Sequence, residues 1–136
     1  MSNSKPRRPV VGIIGNSHSM NDRYPVQASG TINAEAVAQA AGCLPLIIPS
    51  DPRYVSVEEL MGLCDGFLLT GGRPNVHPSE YGEAETPAHG DFDRCRDAIT
   101  LPLIRPAIGL RITSQALGRK TMQPAASAVM PRLSVR

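Results

Sequence analysis

The apolar positions of this chain gather into short unbroken runs separated by longer polar stretches. Val10-Val11-Gly12-Ile13-Ile14-Gly15 is β-branched and nearly continuous, and Leu44-Pro45-Leu46-Ile47-Ile48-Pro49 is a second such run. Phe67-Leu68-Leu69 is a third, bounded by Gly66 on one side and Gly71-Gly72 on the other. Runs of this kind predict strands buried on both faces of a parallel sheet, with prolines tolerated near strand ends. Between them, Thr31 to Ala41 is small and helix-forming. Ile32, Ala36, Val37 and Ala40 fall on one face of it, and Gly42 is the stop. Ser56 with Glu59 three residues on is a capping box, and Leu60 and Leu63 supply the buried face of the short helix it opens.

Two polar stretches read as long loops: Asn16 to Ser29, with Tyr24-Pro25 in its middle, and Arg73 to Gly90, rich in Pro, Gly and acid. Loops of the latter length in compact domains are usually functional or disordered. Asp91 is expected to cap a last helix with Ile99, Leu103 and Ile104 beneath it, kinked or ended by Pro102. The order β-α-β-α-β-loop-α predicts an α/β fold, a flavodoxin-like parallel sheet with flanking helices, incomplete. The loops after the first and third strands then share the edge at which open α/β sheets bind ligands. Gly71 and Gly72, at that edge, allow φ > 0 and a close approach of backbone to a ligand.

Composition narrows this picture. A length of 136 residues suits one domain, and with 41% apolar but only 4% aromatic residues the core must be aliphatic. A net charge of +2 gives no reason to expect a nucleic acid or a membrane as partner, and no segment approaches the ~18 apolar residues of a membrane span. Three widely spaced cysteines, Cys43, Cys64 and Cys95, behind a start without an export signal, point to reduced thiols in a cytoplasm. Charge is uneven, however. Residues 1–105 hold nine Lys/Arg and twelve Asp/Glu, whereas 106–136 hold five Lys/Arg and no acid.

Several stretches in order resemble the γ-glutamyl-γ-aminobutyrate hydrolases, a branch of the class I glutamine amidotransferase-like hydrolases. They are Arg8-Pro9-Val10-Val11-Gly12-Ile13, Ala41-Gly42-Cys43-Leu44-Pro45-Leu46-Ile47-Ile48-Pro49 and Cys64-Asp65-Gly66-Phe67-Leu68-Leu69-Thr70-Gly71-Gly72. Asn75-Val76-His77-Pro78, Tyr81-Gly82-Glu83 and Asp93-Arg94-Cys95-Arg96-Asp97 follow, so the resemblance covers roughly residues 8 to 105. It implies hydrolysis of γ-glutamyl amides through a cysteine acyl-enzyme, without metal or organic cofactor. It also implies that the amides of Thr70-Gly71-Gly72 contribute to an oxyanion hole, a large catalytic term. Arg96-Asp97 matches a family signature that reads as structural.

The family's nucleophile lies on a Gly-x-Cys-x-Gly elbow, followed later by His-x-Glu. No cysteine follows Cys95 and no histidine follows His89. The nearest echo of the elbow, Gly109-Leu110-Arg111-Ile112-Thr113, puts an arginine, always protonated, at the nucleophile position. Catalytic residues are therefore expected to be none. A frameshift or deletion accounts for the abrupt change at Pro106 better than an evolved terminus. Residues 1–105 are then the N-terminal half of a class I glutamine amidotransferase-like domain and 106–136 a divergent tail. Ala107–Ile112 is the one tail stretch suited to a fourth strand, and order is expected to fade after about Thr113.

Gly71, Gly72, Arg73 and His18 are the candidates for oxyanion and substrate binding. Arg73 could meet a substrate carboxylate, and His18 follows the first strand at the same edge. No metal site is expected, since His77 and His89 lack close clustering. The expected partner is a small γ-glutamyl compound, and self-association through an uncovered sheet edge is a further expectation. Two other readings stay open: a non-catalytic binding or interaction protein using Asn16–Ser19 with Gly71, Gly72 and Arg73, and a pseudogene product without function.

Overall fold

The structure, a computed structural model, describes residues 6–109 and 128–131. In chain order the elements are β1 (Val10–Ile14), β2 (Asn16–Met20), β3 (Tyr24–Ala28) and α1 (Thr31–Glu35), which runs on as a π-helical turn over Ala36–Ala40. Then come β4 (Leu44–Ile48), α2 (Val57–Leu63), β5 (Gly66–Leu69), α3 (Arg94–Gly109) and β6 (Ala128–Pro131), with 3₁₀ turns at Pro78–Tyr81 and Pro87–His89. The three apolar runs become three parallel strands in the order β4-β1-β5. Helices flank them on both faces, a partial flavodoxin-like arrangement. β6 pairs antiparallel with β5 on its other side.

All five residues of β1 are buried because it is central and covered on both faces. Its side chains alternate as a strand requires. Val10 and Ile14 join Phe67, Leu60, Ile99 and Leu103 under α2 and α3, while Val11 and Ile13 join Leu68 and Val37 under α1 and its π turn. Gly12 lies opposite Phe67 in the ladder. A methyl group there would stand 3.0 Å from Cys64 Sγ and 3.1 Å from Phe67 Cδ1, so glycine makes room for the one large ring of the core.

Several expectations need correction. Asn16–Ser29 is not a loop throughout: it folds as the hairpin β2–β3, with Ser17 opposite Gln27 and Met20 opposite Tyr24. Its turn has φ of 52° at Asn21 and 53° at Asp22, and Arg23 N–H bonds Met20 O at 3.2 Å. Two positive φ angles make the mirror-image turn that suits strand twist, and Asn-Asp tolerates it. The polar strands hid the hairpin from a hydrophobic reading.

In the first helix the predicted face is right only at Val37, which is buried. Ile32 is 71% exposed, and Ala36 and Ala40 face out; Ala34, Ala38 and Ala41 turn inward beside Val37. In an alanine-rich helix two such stripes are equally apolar, so the period alone carries little phase information. Gly42 does stop it, at φ 64°, and Cys43 N–H closes back on Val37 O at 3.0 Å.

The capping box of α2 forms as expected, but Leu63 is 52% exposed; Val57, Leu60, Met61 and Cys64 make the inward face. Asp93, not Asp91, caps α3, its Oδ1 accepting from Arg96 N at 3.0 Å. Pro102 does not end α3, which continues through Pro102 and Pro106 to Gly109. Each proline removes the bond to the carbonyl four residues back. Those carbonyls belong to Ala98 and Pro102, both exposed, so water can serve them.

Because α3 runs on to Gly109, Ala107 is a buried helical residue rather than the start of a fourth strand. The strand that pairs with β5 is Ala128–Pro131. The rest of the elbow echo, and the fading of order expected after Thr113, lie outside the described residues. β4 forms one edge of the sheet. Leu44 N–H and Ile48 O bond inward, to Pro9 and Gly15, so the imide nitrogen of Pro45 faces the open side and removes a donor there. Among the described residues no helix is long and apolar enough to cross a membrane.

Candidate functional site

Three loops leave the carboxyl edge of the parallel sheet together: Gly15-Asn16 after β1, Ser50-Asp51 after β4 and Thr70-Gly71-Gly72 after β5. The hairpin is latched to this edge by Gln27, whose Oε1 accepts from Ser50 N at 3.1 Å and Ser50 Oγ at 3.0 Å. Asp51 is buried against Arg53, whose guanidinium bonds hold its carboxyl below the usual range.

The glycine loop is fastened from several directions. Thr70 is buried, and its hydroxyl donates to Ile14 O at 3.0 Å. Asn16 Nδ2 donates to Thr70 Oγ1 at 3.3 Å and to Gly71 O at 3.4 Å. From the first turn of α3, an Arg96 guanidinium nitrogen donates to Thr70 O. A Cβ on Gly72 would stand 2.9 Å from both Arg96 Nη1 and Asn16 Oδ1, so a side chain there would have to displace both. Asp97, 8% exposed, accepts from His77 N at 3.0 Å and ties the following loop to the same helix.

Among the described residues, three side-chain atoms here are buried without a hydrogen-bond partner: Asn16 Oδ1, Arg96 Nε and Asp93 Oδ2. Such atoms are rare in folded proteins and call for an explanation. Asp93 and Arg96 also line a cleft of about 160 Å³ beneath Pro74–Val76, with Leu69, Thr100 and Ile104 as its other walls.

Of the four candidates named from the sequence, Gly71, Gly72 and Arg73 lie together, exposed, past the end of β5. His18 stands apart on β2, exposed and opposite Val26. Asn16 and Arg96 are what the structure brings to the glycine loop. Asn16 was marked only by its place after the first strand, and Arg96 only by the Arg-Asp signature.

The cysteines do not converge on the loop. Cys43 and Cys64 precede β4 and β5, at the amino edge. Burial raises both thiols above their ordinary pKa, which disfavours the nucleophilic thiolate. Cys95 is exposed on the first turn of α3. His77 and His89 engage their own loop: Nε2 of each lies 3.5 Å from a carboxylate, Glu85 and Glu83 respectively. Among the described residues no three His, Cys, Asp or Glu side chains cluster as a metal site would require.

A parallel sheet with helices on both faces and a glycine loop at its carboxyl edge fits a class I glutamine amidotransferase-like domain. The chain belongs to the Peptidase C26 family, which it matches over residues 9–119. It is 31% identical over 118 residues to the gamma-glutamyl-gamma-aminobutyrate hydrolase of Escherichia coli O157:H7. It is 30% identical over the same length to gamma-glutamyl-gamma-aminobutyrate hydrolase PuuD of E. coli strain K12. Each alignment takes in 82% of this chain and 42% of the relative, so the chain spans less than half the length of these proteins.

Proposed function

We propose that this chain carries the oxyanion-binding and substrate-facing part of a γ-glutamyl amide hydrolase centre, and that by itself it binds γ-glutamyl compounds without turning them over. The observation that supports this is the loop Thr70-Gly71-Gly72. Its two glycines are exposed at the carboxyl edge, and their amides have no hydrogen-bond partner among the described residues. Paired amides of this kind stabilise the oxyanion of amide hydrolysis, a contribution of 10²–10³ in rate per donor in measured cases. Arg73, beside them, offers a guanidinium to a glutamyl carboxylate.

Hydrolysis also needs a thiolate with a base to activate it. Burial disfavours the thiolate at two of the three thiols, Cys43 and Cys64, which lie at the far edge, and no described histidine reaches Cys95 by a hydrogen bond. Three free cysteines, one fully buried, further fit a reducing cytoplasm as the compartment.

Purified chain incubated with γ-glutamyl amides should release no product above background, and Cys95→Ala should change nothing. A γ-glutamyl compound should still raise the melting temperature, and further as its concentration rises. Turnover lost in Cys95→Ala would overturn the non-catalytic part of the reading. A melting temperature indifferent to every γ-glutamyl compound would overturn the binding part.

A further inference from the structure

We infer that Arg96 and Asn16 are positioning residues, clamping two successive carbonyls so that the amides of Gly71 and Gly72 face the open side of the loop. This rests on the reading of the loop as an oxyanion site and adds what aims it. In a planar trans peptide the C=O and the following N–H point in opposite directions. The carbonyl of Thr70 accepts from the Arg96 guanidinium, and the same peptide carries the amide of Gly71. The carbonyl of Gly71 accepts from Asn16 Nδ2 at 3.4 Å, and that peptide carries the amide of Gly72. Each amide is thereby turned away from the side chain that holds its carbonyl.

Two more observations make the clamp specific. The only side-chain hydrogen bond of Arg96 among the described residues goes to Thr70 O, and its Nε is buried and unpartnered. Asn16 directs both amide bonds at Thr70 and Gly71, and its Oδ1 is likewise buried without a partner among the described residues. Neither side chain is placed to satisfy itself fully; both are placed to reach the loop. Gly72 completes the arrangement, because a Cβ would meet both at 2.9 Å. Without a clamp a two-glycine segment has many conformations open to it, and its amides would not be pre-aimed.

The test is carried out on the full chain labelled with ¹⁵N, first without ligand. The nitrogen frequency of an amide responds to hydrogen bonding at the carbonyl of its own peptide. Arg96→Met should therefore move the Gly71 resonance further than that of Gly72, and Asn16→Asp should do the reverse. Arg96→Lys, which keeps a donor, should restore most of the Gly71 position. If one variant fails to fold, Gly72→Ala is the second probe and should move both neighbouring amides by displacing both side chains. Unchanged glycine resonances in the folded variants would overturn the inference.

L-glutamate, whose side-chain carboxylate stands in for the oxyanion, is then titrated. In the parent chain it should shift Gly71 and Gly72, and in Arg96→Met or Asn16→Asp its affinity should fall about tenfold, the size of one hydrogen bond to a charged group. Glutamate affinity unaltered by both substitutions would also overturn the clamp. If glutamate leaves both glycines of the parent chain unmoved, the oxyanion reading fails, while the ligand-free spectra still decide the clamp.

Discussion

The two faces of the sheet are covered very differently. Beneath α2 and α3, Val10, Ile14, Ile48, Leu60, Phe67, Ile99 and Leu103 form one continuous buried cluster. On the other face, among the described residues, Val11, Ile13, Leu68 and Val37 are buried, with Ala34 and Cys43 half-buried beside them. The first face is built from large aliphatic side chains and the ring of Phe67. The second sets Val11, Ile13 and Leu68 of the sheet against a helix that contributes Val37 and alanines. Gly42 closes one end, and the hairpin latched by Gln27 precedes the other. The thick face provides cohesion and also carries the helix that aims the glycine loop.

The largest effect should come from the thick face. Phe67→Ala should cost about 3–5 kcal/mol, as truncations of fully buried rings do, read as a fall in the urea midpoint at unchanged slope. A loss no larger than that of Val37→Ala would break the contrast. Filling the same space is the complementary probe. Gly12→Ala places a methyl group against Cys64 and Phe67, and overpacking of this kind should cost about 1–3 kcal/mol.

On the thin face, Val37→Ala should cost about 2 kcal/mol, from the methyl groups lost and the small cavity left. The thin face should also open first, so amide exchange at Val37 should be faster than at Leu103. Equal protection would show that the two faces open as one unit.

The smallest effect lies at the surface of the thick face. Ser56→Ala should cost about 1 kcal/mol through loss of the cap on α2. The same box gives a pH signature. Bonds from Ser56 hold Glu59 below its ordinary 4.5, and Arg53 holds Asp51 below its ordinary 3.8. Stabilisation from lowered carboxyls is complete above the ordinary values and is lost as pH falls through the lowered ones. Melting temperature should thus be flat near neutrality and decline on acidification, less steeply in Ser56→Ala. A decline that began above pH 6 would need another group.

What the sequence made legible were the continuous apolar runs. A stretch such as Val10–Ile14 has one way to be buried on both faces, so β1 and β5 and the parallel sheet could be read directly; β4 was read as a strand too, but at the sheet edge its Leu44 and Ile47 are exposed rather than buried. Glycines at a strand end were equally readable: Gly71 and Gly72 lie where open α/β sheets present loops. What stayed hidden had weak or absent hydrophobic signal. The β2–β3 hairpin is polar, and its one local mark was Asn21-Asp22. The phase of the first helix is blurred by alanine. The clamp on the glycine loop joins Asn16, Thr70 and Arg96, three residues far apart in the chain, and no spacing rule announces it.

The two prolines of α3 have a consequence for how that helix is indexed. Lying four residues apart, Pro102 and Pro106 mark a single stripe along its axis, and the carbonyls they leave without donors lie on the same outer side. Rolling the helix about its axis would carry those bare carbonyls towards Phe67 and Ile14, where no water could reach them. The prolines thus work as a rotational stop. They weaken the helix ladder, yet they make one orientation far cheaper than its neighbours. In that orientation Ile99 and Leu103 face the sheet while Arg96 and Asp97 meet the loops. Replacing both prolines by alanine should give a stronger helix with a less certain heading, and the glycine loop would register the difference.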